Sequence, residues 1–187
     1  IVKNPTWDKQ YNIPFVQGED SIGKYYVFLI SPANLLEIST VPHRRKTAGH
    51  KISKTYQRII NPKRTKSIKK YIEGSYKHMI FDEGIFPTNI IANINKFEDF
   101  EIKEKIHGGR KFIYLKPIYG LLNIIDGQHR LFSYLNMPQS KTHFLTVTAY
   151  VEMNMAQQMH IFVDINREQK PVSPNLLWDL YTDLYER

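Results

Sequence analysis

A chain of 187 residues is long enough for one well-buried α/β domain, or for one such domain with a small helical extension. Hydrophobic residues make up 42% and charged residues 24%, which argues against wholesale disorder. The chain has no cysteine, so disulfides, cysteine-ligated zinc, iron–sulfur clusters and thiol catalysis are excluded. The net charge of +8 favours polyanionic partners: nucleic acid, nucleotides or an anionic membrane face.

The hydropathy of the sequence gives no indication of a membrane protein. No apolar run approaches the roughly 20 residues that a spanning helix needs, and no signal-peptide pattern is visible. Together with the lack of cysteine, this predicts a cytoplasmic protein without a membrane partner.

The first third of the chain contains one clear strand pattern. Residues 1–23 are interrupted by prolines and glycines and are interpreted as an irregular lead-in. Lys24–Ile30 (KYYVFLI) is rich in aromatic and β-branched residues and ends at Ser31-Pro32, which predicts a strand. One helical turn is expected over residues 34–39. Residues 42–54 are basic and poor in apolar side chains, as in an exposed loop.

A basic helix is predicted to begin at Pro62 and to end near Gly74. Proline suits the first helical position, and the apolar side chains of residues 68, 71 and 72 share one face. Its cations could contact the phosphates of a DNA backbone without reading bases. A solvated helix face is the alternative, and no helix-turn-helix or zinc-finger pattern accompanies the helix. The candidate DNA-binding residues of this helix and the preceding loop are Arg44, Arg45, Lys63, Arg64, Lys66, Lys69 and Lys70.

The remainder of the chain alternates strand and helix patterns, which predicts a mixed α/β (α+β) fold with roughly five or six strands. The predicted core covers residues 24–152, and a helical C-terminal segment, residues 153–187, is expected to pack on it. Gly108-Gly109 between two alternating runs is typical of a hairpin. Strands are predicted over residues 88–95, 100–106, 111–116, 119–125 and 144–151, and helices over 128–135, 155–165 and 175–185.

The most informative segment is NIIDGQHRLFSYL, residues 123–135. A strand covered on both sides is predicted to turn at Asp126-Gly127 and to enter a helix, whose first N–H groups and dipole favour an anion. Gly127 allows another group to approach the backbone closely, and Arg130 can hold a phosphate through a bidentate fork. Gln128 and His129 add polar groups. The alternative is a structural turn in which Asp126 is an ordinary N-cap.

The string DGQHRLFSYL resembles the motif that names the DGQHR-domain proteins, which include DndB-like proteins of DNA phosphorothioation systems. More distantly it is similar to the phosphate-binding motifs of ParB and sulfiredoxin, and to the DGQQR motif of nucleotide-hydrolysing restriction domains. Gln57-Arg58 before the basic helix, and residues 162–173 (FVDINREQKPVS), resemble two further elements of this group. The likeness covers roughly residues 24–180. It implies a ParB/sulfiredoxin-like mixed sheet, although Gln128 replaces the cysteine that sulfiredoxin chemistry needs.

The resemblance also implies a nucleotide or phosphate site. Histidines elsewhere lack metal-ligand spacing, so no tightly bound metal is expected. Mg²⁺ carried in with a nucleoside triphosphate would need only Asp126 and waters. The residues implied to bind the nucleotide or phosphate are Gly127, Gln128, His129, Arg130, Gln57, Arg58, Asn166 and Gln169.

Three functions are open at this stage. The first is a DNA-binding regulator or accessory protein of a bacterial DNA-modification or phage-defence cluster, which acts with DNA, a nucleotide and proteins of the same system. The second is a slow hydrolase of ATP, CTP or GTP, with Asp126 positioning water or Mg²⁺ and with His129 and Arg130 stabilising phosphate charge. The third is an interaction domain whose motif only shapes a turn. The sequence leaves the oligomeric state open.

Overall fold

A computed structural model describes residues 11–41, 60–75, 84–95, 103–107 and 110–168 of the chain. The predictions for the basic loop at 42–54, the Gly108-Gly109 turn and the closing helix at 175–185 lie outside these residues.

The described residues form a mixed α/β structure, as predicted. The sheet has the strand order β3-β7-β4-β8-β2-β1-β6-β5. The β4–β8 and β3–β7 pairs are parallel, and the other pairs are antiparallel. The elements are β1 (Tyr11–Glu19), β2 (Lys24–Ile30), α1 (Pro32–Ile38), β3 (Ser39–Thr40), α2 (Pro62–Ile72), β4 (Ile90–Ile94), β5 (Lys103–His107), β6 (Arg110–Leu115), β7 (Leu122–Asp126), α3 (Gln128–Ser133), β8 (Leu145–Val151) and α4 (Met155–Glu168).

The prediction of an irregular lead-in over residues 1–23 is wrong for residues 11–19, which form β1. Tyr11, Ile13 and Phe15 are buried and alternate with exposed positions, as in a half-buried strand. Pro14 is tolerated because β1 changes partner there: residues 11–14 pair with β6, and pairing with β2 begins at Phe15. With the short β3, this strand raises the number of described strands above the five or six expected.

The core joins α1, α2 and α3 to the strands of the sheet in one buried cluster. Leu35 of α1, Ile72 of α2 and Leu131 of α3 are fully buried against the central strands. β7 is buried on both faces, because consecutive residues Ile124 and Ile125 are both inaccessible, and α4 packs against it. This agrees with the prediction of a strand covered on both sides.

Side-chain N-caps fix where α1, α2 and α4 begin, and in α1 the Ser31 hydroxyl accepts from the N–H of Asn34 at 3.3 Å. The Asn61 side chain accepts hydrogen bonds from the N–H groups of Lys63 and Arg64, and Pro62 occupies the next position of α2. Asn154 and Gln157 cap α4 reciprocally, each side chain accepting from the other residue's N–H at 3.0 and 2.9 Å. No helix among the described residues has the length and apolar character needed to cross a bilayer.

Candidate ligand-binding cleft

The DGQHR segment forms one wall of a cleft of about 840 Å³, a size within the usual range for ligand sites. The cleft lies at the carboxyl end of β7, next to the beginning of β4, because these strands are antiparallel. α2 and α4 contribute the remaining walls. The lining residues are Asn61 and Arg64 from α2 and its cap, Pro87, Thr88, Asn89 and Ile91 at the start of β4, Ile125 to Arg130 from the turn, and Phe162, Ile165 and Asn166 from α4.

The turn itself depends on Gly127. Its φ of +91° lies in the left-handed region, and it is the N-cap residue of α3 without a side-chain cap. A Cβ at this position would lie 2.4 Å from Cδ1 of Ile90. The interpretation of Asp126 as an ordinary N-cap is therefore wrong, because its carboxylate binds Arg130 instead.

Arg130 holds the turn to the segment that precedes β4. Its Nη1 donates to the carbonyl oxygen of Thr88 at 2.7 Å and also to the Thr88 hydroxyl. Its Nη2 donates to the carbonyl oxygen of Asn89 at 2.9 Å and to Oδ2 of Asp126 at 3.1 Å. The arginine side chain is 16% exposed, and burial lowers its pKa while Asp126 acts in the opposite direction. Both terminal nitrogens are thus occupied by protein atoms, which differs from the predicted phosphate fork.

His129 connects the turn to α2. Its Nε2 accepts a hydrogen bond from the N–H of Asn61 at 3.1 Å, which assigns the proton of the neutral ring to Nδ1. Burial lowers the pKa of His129, and Arg64 lowers it further, whereas Asp126 raises it. Ser133, one turn after His129, donates its hydroxyl to the His129 carbonyl oxygen at 2.6 Å, and the same hydroxyl lies 3.3 Å from the Thr65 carbonyl oxygen of α2. A protonated His129 ring could not accept the hydrogen bond from the N–H of Asn61 at the start of α2.

The folded protein is therefore expected to lose stability as the pH falls through the titration of His129. The ordinary pKa of histidine is 6.5, and the pKa of His129 in the folded protein is lower. The stabilisation that the neutral ring gives to the folded protein is therefore complete above pH 6.5 and is lost as the pH falls through the native pKa. Urea denaturation at several pH values should show a steeper decline for wild type than for His129→Gln, which cannot titrate. Identical pH profiles for the two proteins would contradict this role.

Five of the residues predicted to bind a nucleotide or phosphate line the cleft: Gly127, Gln128, His129, Arg130 and Asn166. Gln128 is buried, with 7% exposure, and the exposed Asn166 donates from Nδ2 to the Phe162 carbonyl at 2.7 Å. The other predicted ligand-binding residues, Gln57, Arg58 and Gln169, and the predicted DNA-binding residues Arg44 and Arg45, lie outside the described part of the chain.

Sequence interpretation missed several residues of the cleft, among them Asn61, Thr88, Asn89 and Phe162. The Asn61-Pro62 pair is a recognisable N-cap and first-position combination, so this lining residue could have been found. Nothing in the local pattern around Thr88 and Asn89 marks them, since they join the cleft only through Arg130, more than 40 residues away.

The predicted DNA-binding cations of α2 have different surroundings. Lys63, Lys66 and Lys70 are exposed. Arg64 is exposed and also lines the cleft. Lys69 donates from Nζ to the carbonyl oxygen of Leu135 at 2.9 Å, so it holds α2 to the chain after α3. The first turn of α2 has no acidic residue, although cations there oppose the helix dipole. A local conflict of this kind is expected at functional sites.

The residues of the cleft do not fit a protein-held metal ion. In the part of the chain that the structure describes, no group of three His, Asp or Glu side chains could hold one. Asp126 is the single carboxylate among the described lining residues, and it is paired with Arg130.

The fold and the cleft define a mixed α/β protein with a ligand-sized polar cleft at a strand–turn–helix junction beside a basic helix. The family model for DndB, described as DNA-sulfur modification-associated, matches residues 13–186, and the chain belongs to this family. This confirms the DndB-like resemblance of the DGQHR motif, while the wider likeness to ParB and sulfiredoxin stays a prediction. No curated protein and no solved structure matches the chain. The protein is therefore associated with DNA-sulfur modification.

Proposed function

We propose that the protein serves its DNA-sulfur modification system as a DNA-binding regulator or accessory protein, and that the cleft at Asp126–Arg130 holds a nucleotide or phosphate group. The observation that carries the proposal is that α2, the helix that forms part of the cleft wall, also presents an exposed row of cations. Family membership supports DNA as the polyanion, since phosphate contacts from such cations supply most sequence-independent affinity.

The row of cations is well placed for a phosphate backbone. Lys63, Lys66 and Lys70 stand at spacings of three and four residues, so they follow one stripe of the helix. Ile72 on the opposite side is buried, and Tyr71 donates its hydroxyl to the Ile85 carbonyl oxygen at 2.9 Å. The helix is thus anchored by one face while the cationic stripe faces solvent. α2 contains no Asp or Glu that would neutralise the stripe.

Replacing Lys63 and Lys66 together by glutamine is expected to weaken DNA binding and its salt dependence. Each phosphate contact contributes about 0.9 to the slope of log K against log salt, so the slope should fall by about 2. The measurement is fluorescence anisotropy of a labelled duplex between low and physiological salt. The matched control is Lys111→Gln with Lys141→Gln, which removes the same charge from exposed positions outside α2. Equal slopes for the two double variants, or no retention of DNA at low salt, would contradict the proposal.

A free nucleotide or phosphate should be detected through Arg64 rather than Arg130. Arg64 is exposed at the cleft, whereas Arg130 is engaged by Thr88, Asn89 and Asp126. A nucleotide at a hundredfold excess over its Kd should stabilise the wild type by about 2.7 kcal/mol. Thermal shift with ATP, CTP and GTP, with and without Mg²⁺, should show this for wild type and a smaller effect for Arg64→Gln. No shift with any nucleotide would leave the cleft without a free-nucleotide ligand.

Nucleotide hydrolysis, the alternative function, has less support from this geometry. It would require Asp126 to position water or Mg²⁺, and this carboxylate accepts a hydrogen bond from Arg130 at 3.1 Å. It would also use His129 as a positive group, and burial beside Arg64 lowers the pKa of that ring.

A further inference from the structure

We propose that the ligand of the cleft is a base belonging to a nucleic-acid strand, whose neighbouring phosphates lie along the cationic stripe of α2. This inference rests on the proposed DNA-binding function. It narrows that function by naming the ligand: a nucleotide unit within a strand, which the cleft should hold more tightly than a free nucleoside triphosphate or an isolated phosphate.

The side chains that line the cleft match the chemistry of a nucleic-acid base. Carboxamide side chains come from three elements: Asn61 before α2, Gln128 of α3 and Asn166 of α4. The oxygen of Asn61 caps α2, which leaves its NH2 group as a donor, and the NH2 group of Asn166 is bonded to Phe162, which leaves its oxygen as an acceptor. Together they suit the mixed hydrogen-bonding edge of a base. Between them lie apolar groups, among them Phe162 and Ile125. A flat ring with polar edges matches this combination better than a phosphate chain does.

The cleft has few cations with which to bind a triphosphate. A triphosphate needs several cations, and the cations among the described lining residues are Arg64 and Arg130. Arg130 is already bound by Thr88, Asn89 and Asp126, and the ring of His129 is the acceptor for an N–H group. One engaged arginine and one exposed arginine are a poor match for a triphosphate. The same two arginines are compatible with an uncharged base whose single phosphate lies at the rim of the cleft.

The cleft and the cationic stripe meet at the first turn of α2. Arg64 lines the cleft and belongs to the same helix as Lys63, Lys66 and Lys70. From Lys63 to Lys70 the helix rises about 10 Å at 1.5 Å per residue. The end of α2 that lies at the cleft is also the positive end of the helix dipole. Around the helix axis, Arg64 lies on a different side from the stripe, so a strand that follows the stripe must cross the first turn of α2 before one of its bases can enter the cleft.

This geometry has a consequence for the form of the nucleic acid. A base inside a duplex must be unpaired and unstacked before it can enter a pocket, which costs free energy that a single strand does not need to supply. Single-stranded DNA is therefore expected to bind the cleft more tightly than a duplex of the same length and sequence.

The test compares two single strands with equal charge: a thymidine 12-mer and a 12-mer in which every nucleotide is abasic. Wild type should bind the abasic strand roughly 5-fold to 100-fold more weakly, the range expected from the loss of stacking of one base. Phe162→Leu removes the flat ring of the lining and should reduce this ratio. Val163→Ala, at a neighbouring position of α4 that is 52% exposed and outside the cleft, should leave it unchanged.

Asn166→Ala provides a second variant for the case in which Phe162→Leu fails to fold. Asn166 is exposed and lines the cleft, so its replacement should also reduce the ratio between intact and abasic strands. Equal affinity of wild type for both strands, or an unchanged ratio in the cleft variants, would overturn the inference while DNA binding itself stands. Failure of every strand and duplex to bind at low salt would overturn the proposed function as well.

Discussion

Replacing Gly127 by alanine is expected to lower the free energy of unfolding by about 4 kcal/mol, the sum of a backbone cost and a packing cost. A non-glycine residue at positive φ costs about 1–3 kcal/mol, and forcing an extra carbon into a packed site costs a similar amount. Gly127 has a φ of +91°, and an added Cβ would lie 2.4 Å from Cδ1 of Ile90. Ile90 is fully buried, so it has little room to move. Urea denaturation measures the loss.

A matched control separates backbone strain from the clash. Gly23 also has a positive φ, +144°, but an added Cβ there would meet nothing within 4 Å. Gly23→Ala should therefore cost only the strain, about 1–3 kcal/mol. If both alanine variants lost the same stability, contact with Ile90 would not limit the turn. If Gly127→Ala were as stable as wild type, the left-handed turn would not be needed for the fold.

Replacing Arg130 by methionine is expected to destabilise the protein by about 3 kcal/mol, rather than to remove only ligand affinity. Methionine keeps much of the aliphatic length but loses every hydrogen bond to Thr88, Asn89 and Asp126. A hydrogen bond to a charged group contributes about 1.5–3 kcal/mol. Water can replace the partner at the exposed carbonyl oxygens of Thr88 and Asn89, so the net loss corresponds to one or two such bonds. Asp126 is only 28% exposed, so water replaces the lost partner incompletely. Thermal and urea denaturation measure the effect.

Lysine at the same position tests whether charge or geometry matters. A single ammonium group cannot reproduce the two-nitrogen fork that reaches both Thr88–Asn89 and Asp126. Arg130→Lys should therefore lose most of the stability that Arg130→Met loses. Full stability of Arg130→Met, combined with loss of nucleotide or strand binding, would contradict the structural role and would favour the phosphate fork predicted from the sequence.

Much of the secondary structure could be predicted because its causes are local. Lys24–Ile30 forms β2 at the predicted bounds, since its alternation of aromatic and β-branched residues ends at Pro32. α2 begins at Pro62 as predicted, because Asn61 and Pro62 supply a cap and a pre-set first residue. The strand over Leu122–Asp126 and the helix after Gly127 also follow the predicted order. The family match confirms the DndB-like resemblance that the DGQHR motif suggested.

The wrong predictions concern residues whose structure depends on partners elsewhere in the fold. β1 was missed because Pro14 and Gly18 read locally as breakers. In the fold Pro14 lies where β1 changes its partner strand, and Gly18 pairs with Tyr25 of β2, whose ring occupies the space beside the glycine. The alternative in which Asp126 is the N-cap is also wrong, because capping is a local inference whereas the carboxylate binds Arg130, four residues later.

The sequence by itself determined the class of fold, the order of most elements and the position of the DGQHR turn, because periodicity, caps and turn residues act over a few neighbours. Only the tertiary structure decided what each polar side chain of the turn does. Arg130 binds Thr88 and Asn89, and His129 accepts from Asn61, across separations of 41 to 68 residues. Hydrogen bonds across such separations depend on how strands and helices pack together, and no local spacing encodes that packing.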